Sequence, residues 1–290
     1  MKTNIPERIA ALREAMKQHK IDAYIIPTSD PHMSEYPADC WKYREWISGF
    51  TGSAGTVVIT ADKAGLWTDS RYFLQASTQL EGTGIELFKM MLPETPTIPE
   101  FLAHELEKGQ TVGLNGETYS LAEARTLEKA LAEKEIKLNT NASLIDPIWK
   151  ERPAIPEAPM FEMQVELSGK SVEDKLLDIN KMLHKAGADC TILSALDEVA
   201  WTFNIRGTDV AYNPVVISYA FVSEKESVLF VNPKKIPAEI AEHLKKEGVT
   251  LADYGMLATF LSRLPERTRC LSTANGPTWL STMHCLKAAS

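Results

Sequence analysis

The residues best placed to do chemistry lie at Thr68-Asp69-Ser70-Arg71-Tyr72, where an acid and a base stand two positions apart. They follow a glycine-rich bend (Gly49, Gly52, Gly55) and two short apolar runs, so they fall at the mouth of a strand. The planar guanidinium of Arg71 suits a peptide carbonyl or carboxylate. Asp69 has a supporting role: paired with Arg71, it would fix the end of a hairpin. On the residues alone both roles stay open. His32, in Asp30-Pro31-His32-Met33-Ser34-Glu35-Tyr36, is the second candidate for touching a substrate or partner, because it sits in a loop dense in turn residues at the end of a strand. The other five histidines fall at unrelated spacings and no His/Asp/Glu set has metal-ligand spacing, so no metal site is expected.

Several apparent motifs fail on one residue. His104-Glu105 lacks the second histidine of a zinc-protease helix, since position 108 is lysine. Gly169-Lys170-Ser171 resembles the end of a phosphate loop, but Gln164 occupies the place of its first glycine. The glycines at 49, 52 and 55 precede a strand, whereas a dinucleotide loop follows one. Asp197 and Glu198 read as first-turn acids of a helix. Arg206 and Asp209 read as an internal ion pair.

These residues need elements to hold them. Thr56–Thr60 is β-branched and reads as a buried strand. Asp62–Gly65 reads as a turn, and Leu66–Thr68 as the returning strand that delivers Asp69 and Arg71. A helix is expected over Pro6–Lys20, a strand over Ile21–Pro27, a short helix over Trp41–Ile47, and helical chain again from Tyr72. A strand (Ile85–Met90), a helix (Thr97–Lys108), a strand (Thr111–Leu114), a helix capped by Ser120 and Glu123, and a strand (Ile136–Leu138) complete the first half. Four prolines between Asp146 and Pro159 mark a linker.

The order then repeats. A helix over Ser171–Lys185, a strand over Ala188–Leu193, a helical segment running to Gly207 and a hairpin over Tyr219–Val231 follow one another. Helix, strand, helix and strand succeed them over Pro237–Lys246, Val249–Ala252, Gly255–Arg263 and Thr268–Ser272. Two tandem α/β domains, 1–152 and 153–290, are therefore expected, related by duplication. The second copy lacks the triple-glycine bend and the Asp-x-Arg-Tyr end. The repeat accounts for the fold, and the difference between copies points to function.

Composition narrows the partners. With 44% apolar and 24% charged residues over 290 positions the chain reads as a soluble two-domain protein. A net charge of −8 argues against nucleic acid or an anionic membrane as the main partner. No run approaches the ~18 apolar residues of a membrane span. Cys40, Cys190, Cys270 and Cys285 are scattered, which suits reduced thiols in the cytoplasm. Leu280–Ser290 carries no helix stop, so the chain reads as part of a longer protein.

Three stretches resemble a known family. Asp30–Tyr36, Ile47–Thr56 and Leu66–Gln75 resemble the amino-terminal domain of the Xaa-Pro aminopeptidases, of the creatinase/prolidase type. Ala195–Trp201, Asn204–Asp209 and Tyr212–Pro214 resemble the middle domain of their long, three-domain, cytosolic form. Ser70 departs from the family's usual glycine between Asp and Arg. The resemblance implies two tandem creatinase N-terminal-type domains with a ribonuclease H-like motif, each a mixed sheet flanked by helices. It implies a parent hydrolase that removes the residue ahead of proline, using two divalent metals, manganese, in a further domain whose ligands have no counterpart here. This segment alone is then inactive and serves substrate gating, peptide binding through Arg71, and homodimer formation. A non-catalytic, histone-chaperone-like binding module of the same fold is the alternative.

Overall fold

A computed structural model describes residues 4–271. They fall into two units: residues up to Asp30 with Glu35–Ala154, and Pro31–Ser34 with the residues from Ile155 on.

In the first unit, α1 (Ile5–Gln18) buries Ile5, Ile9, Leu12 and Met16, a stripe at helical spacing. It leads into β1 (Ala23–Ile26), α2 (Tyr43–Ser48), β2 (Thr56–Thr60), β3 (Ala64–Thr68), α3 (Phe73–Leu80) and β4 (Glu86–Lys89). The unit continues through α4 (Ile98–Glu105), β5 (Thr111–Leu114), α5 (Leu121–Ala132) and β6 (Lys137–Asn139). Thr97 and Ser120 close capping boxes with Glu100 and Glu123 at the starts of α4 and α5. The six strands form one mixed sheet in the order β4-β3-β2-β1-β5-β6. β1–β2 and β2–β3 are antiparallel, whereas β3–β4, β1–β5 and β5–β6 are parallel. Ala23, Ile25, Val58 and Trp67 join Leu102 of α4 and Leu127 and Leu131 of α5 in one core layer.

Gly65 corrects the expected turn. It lies inside β3, paired with Val58 and Glu86, and the turn is confined to residues 61–63. A methyl group at Gly65 would fall 2.6 Å from Phe88 and 2.7 Å from Trp67, whose rings stack with centroids 4.0 Å apart. The glycine is there for the rings and not for a bend.

The second unit holds β7 (Phe161–Glu162), α6 (Val165–Ser168), α7 (Val172–Ala186), β8 (Cys190–Leu193), α8 (Leu196–Thr202) and β9 (Ile205–Arg206). These are followed by β10 (Ser218–Ser223), β11 (Ser227–Val231), α9 (Ala238–Lys246), β12 (Val249–Ala252), α10 (Leu257–Leu261) and β13 (Cys270–Leu271). Its sheet runs β12-β11-β10-β8-β13. Outer pairs are parallel and inner pairs antiparallel, the same senses as β4-β3-β2-β1-β5. The repeat is thus real at the level of topology. Alternation along β10 and β11 sends Ala220, Val222, Leu229 and Val231 to a core with Leu176, Val199, Ile240 and Leu244. Tyr219, Phe221, Val228 and Phe230 face the other way, onto Leu257 and Leu261. Helices therefore cover both faces of this sheet.

The small β7–β9 ribbon and α6 were not expected. The expected Arg206–Asp209 pair does not form. Asp209 is paired with Lys235, both fully buried, and also accepts from Ile217 N at 2.6 Å. Arg206 donates instead to the carbonyls of Ala200 and Ile205. Cys285 and the expected helix at Leu280–Ser290 lie outside the described residues. Among those described, no helix is long and apolar enough to cross a membrane.

Candidate functional site

The bend that precedes β2 is set by its neighbours. Gly49, at φ +72°, closes α2 in the left-handed conformation. At Gly52 a methyl group would meet Phe50 at 2.4 Å and Tyr72 at 2.7 Å, so the loop passes where only hydrogen fits. The Thr28 hydroxyl clasps Gly55, donating to its carbonyl at 2.8 Å and accepting from its N–H at 3.1 Å. The Thr68 hydroxyl donates to Ala54 O at 2.6 Å. One side chain that the sequence did not single out completes the bend. Arg44 is buried on α2, donates to Gly52 O and lies 4.7 Å over the Phe50 ring. Burial pushes its guanidinium down to about 10. An arginine inside a short helix gives no sequence signal for such a place.

At the far end of β3, Asp69 accepts from Arg71 N at 3.0 Å and so caps the 3-10 turn Ser70–Tyr72. The same carboxylate takes Arg71 Nε at 2.9 Å and Nη2 at 2.8 Å, a two-point ion pair. The arginine side chain keeps 61% of its surface exposed and the aspartate 32%. Arg71 holds the Asp69 carboxyl below the usual carboxylate range, and the aspartate raises the guanidinium in return. Tyr72 fixes the arrangement from beneath. Its hydroxyl bonds Ser53 Oγ at 2.8 Å, its ring meets Phe50 edge-on at 5.9 Å, and the Arg71 guanidinium lies 5.2 Å from its centre. Glu35 raises the Tyr36 phenol, and the charges of Tyr72 and Arg71 also act on that phenol.

The capped turn itself is a device of the fold. Asn115 after β5, Asn232 after β11 and Asp253 after β12 cap 3-10 turns in the same way. Asn232 stands at the position equivalent to Asp69, with Lys234 where Arg71 would be. Lys234 pairs with Glu157 rather than with its cap residue. What sets the first unit apart is an arginine chelated by its own cap.

The structure therefore brings Asp69 and Arg71 together. His32 belongs to the second unit and is 2% exposed. Its ring stacks on Tyr219 at 4.3 Å, Nδ1 lies 2.8 Å from Ser194 O and Nε2 2.9 Å from the Tyr254 hydroxyl. A carbonyl can only accept, so Nδ1 donates to Ser194 O. Among the described residues no group of three or more His, Cys, Asp or Glu could hold a metal ion. At this end the Arg71 guanidinium is held by Asp69 through Nε and Nη2 and most of its side chain stays exposed.

Comparison with known proteins gives two matches to one kind of domain. Residues 8–146 and residues 151–289 each match a family model described as "Creatinase/Prolidase N-terminal domain". A Botryotinia fuckeliana protein named "Probable Xaa-Pro aminopeptidase P" is 42% identical over 257 residues, 88% of this chain and 39% of that protein. Arabidopsis thaliana "Aminopeptidase P2" is 39% identical over 271 residues, covering 92% of this chain and 38% of its own length. Among solved structures, an X-prolyl aminopeptidase from Caenorhabditis elegans superposes with a TM-score of 0.86 at 31% identity, over 89% of this chain and 44% of that one. It is described as a cytosolic enzyme with a di-nuclear active site. The chain thus spans less than half the length of these relatives.

Proposed function

Because the chain belongs to the creatinase/prolidase N-terminal domain family, twice over, we propose that it is the non-catalytic amino-terminal part of a cytoplasmic Xaa-Pro aminopeptidase. In this reading the residues on either side of 152/153 form two domains, and neither cuts a peptide. Cleavage ahead of proline belongs to a further domain that carries two divalent metals, manganese being the proposed ion. The active protein is proposed to be a homodimer that takes Xaa-Pro peptides and engages neither nucleic acid nor membrane.

The observation that carries the role of this segment is the chelated arginine. Asp69 fixes Arg71 in place, yet most of its side chain stays in solvent. A guanidinium held in one orientation loses little freedom on binding, which suits it to hold a peptide for another domain to cut. Asp69 is its support. His32 is given no substrate contact in this reading, since both ring nitrogens are engaged within the second unit.

The test is Arg71→Gln in the protein extended to the length of its relatives. An exposed ion pair contributes only about 0–1 kcal/mol to stability, so the variant should fold as the parent does. Release of the first residue from an Xaa-Pro peptide should fall at least about tenfold in kcat/KM, or ~1.4 kcal/mol. Unchanged kinetics would leave Arg71 a structural residue. The histone-chaperone-like alternative predicts that the extended protein shows no manganese-dependent release at all.

A further inference from the structure

Two cysteines of the second unit meet across its sheet. Among the described strands β13 lies at the sheet's edge and pairs in parallel with β8, so that Cys270 stands opposite Cys190 and Leu271 opposite Thr191. The register is held on both sides of the pair. Before it, Arg269 donates to the Asp189 carboxylate from its backbone N at 2.8 Å and from Nη2 at 3.0 Å, and Asp189 N donates to Arg269 O at 2.8 Å. After it, the Thr191 hydroxyl donates to Leu271 O at 2.9 Å. Residues in register point to the same face of a sheet. Cys190 accordingly belongs to the core around Phe221, Phe230, Leu257 and Leu261, and Cys270 packs against that same core.

The two thiols differ in access. Cys190 is buried, whereas Cys270 is half-buried, so a small reagent reaches Cys270 first. Neither is in a disulfide. Cys40 does not compete, since it is buried in the first unit and its thiol is pushed up to about 11.

The sheet permits a bond between them and makes it labile. Neighbouring strands run about 4.8 Å apart, inside the ~4.4–6.8 Å Cα separation of disulfides. The Cβ atoms of residues in register lie about 5 Å apart, however, and a disulfide holds them at about 3.8 Å. β13 can yield to close that gap, because it has two residues and a strand on one side only among those described. The closure strains the pairing, and strained disulfides are the readily reduced ones.

We infer that Cys190 and Cys270 form a peroxide-sensitive dithiol, reduced at rest and closed by oxidation into a reversible disulfide that ties β13 to β8. The Cys270 thiolate attacks the peroxide: an S–O bond forms, the O–O bond breaks, and the departing hydroxide takes up the thiol's proton as water. The Cys190 sulfur then attacks Cys270 Sγ. The S–S bond forms as the S–O bond breaks, and the hydroxyl leaves with the Cys190 proton as a second water. Two thiols and one peroxide thus become one disulfide and two waters. Two glutathione thiols reverse the step by exchange, becoming glutathione disulfide.

The experiment treats this chain, folded, with one equivalent of hydrogen peroxide, blocks the remaining thiols and maps the peptides by mass spectrometry. The expected product is lighter by two hydrogens and joins the peptides that carry Cys190 and Cys270. Millimolar reduced glutathione should restore both thiols. Cys190→Ala, which keeps the core apolar, should leave Cys270 as a sulfenic acid that dimedone traps. Cys270→Ser should slow oxidation at Cys190 by about tenfold or more. A link from Cys270 to Cys285, a link between two chains, or sulfinic acid with no link would overturn the inference. So would two thiols left intact by the peroxide. A Cys190–Cys270 bond that glutathione leaves closed would overturn its reversibility, and unchanged oxidation of Cys190 in Cys270→Ser would overturn the order of attack.

Discussion

Gly65→Ala is the substitution whose sign separates the packing argument from ordinary strand propensity. In a strand interior, alanine in place of glycine stabilises by about 0.5–1 kcal/mol, because the unfolded chain loses freedom. Here the added methyl would sit 2.6 Å from Phe88 Cε2 and 2.7 Å from Trp67 Cζ3, about an ångström inside normal contact. Neither ring can retreat easily. The two stack on each other at 4.0 Å, Trp67 meets Phe101 edge-on at 5.0 Å, and its Nε1 donates to Pro96 O at 2.8 Å. Overpacking at such a site costs about 1–3 kcal/mol, so the net loss should be about 1–2 kcal/mol. For a unit of this size that corresponds to a fall of about 2–8 °C in the first unit's Tm by scanning calorimetry. Phe88→Leu added to Gly65→Ala should recover part of the loss by opening the space the methyl needs. A Gly65→Ala protein as stable as the parent, or more so, would refute the argument.

Other positions give equally direct tests. Lys235→Met strands the fully buried Asp209 carboxylate and should destabilise the second unit by about 3–5 kcal/mol, read as a lower urea midpoint. Gly52→Ala forces Phe50 or Tyr72 aside; the Arg71 Nε signal should shift and peptide binding weaken severalfold, whereas an unmoved signal would show that Tyr72 does not fix the arginine. Burial raises the Cys40 thiol from about 9 to about 11. Between those values the unfolded chain loses a proton that the folded one keeps, so this contribution is complete below pH 9 and lost as pH climbs towards 11. It amounts to a loss on the order of 2 kcal/mol. Cys40→Ala should flatten that part of the stability–pH curve, and an identical slope in both proteins would contradict the assignment.

Much of the framework is legible in the residues because the signals are local. Thr56–Thr60, Thr111–Leu114, Ser227–Val231 and Val249–Ala252 are strands with the expected bounds. The hydroxyl caps at Ser120 and Ser171 appear where an acid follows three residues later. What escaped depends on distant neighbours. Gly65 reads as a turn until Phe88 is known to lie beside it. Asp209 finds Lys235, twenty-six residues away, rather than Arg206 three residues away. The two-residue strands β7 and β9 are too short to show a period. At the candidate site, Asp69 and Arg71 were readable from spacing. The undersides supplied by Arg44, Ser53 and Tyr72 were not, because nothing local shows which way those side chains face.

Among the described residues, four strands finish in the same Asx-capped turn: β3, β5, β11 and β12. The cap depends on one side-chain oxygen and one backbone N–H two residues on, and it asks nothing of the side chain at that second position. That position holds Arg71, Glu117, Lys234 and Gly255 in turn. Each is a socket in which a side chain can be exchanged without redrawing the strand that carries it. A duplicated domain built with such sockets can specialise one and leave the others idle. Replacing Arg71 should therefore alter what the protein holds while leaving its shape alone.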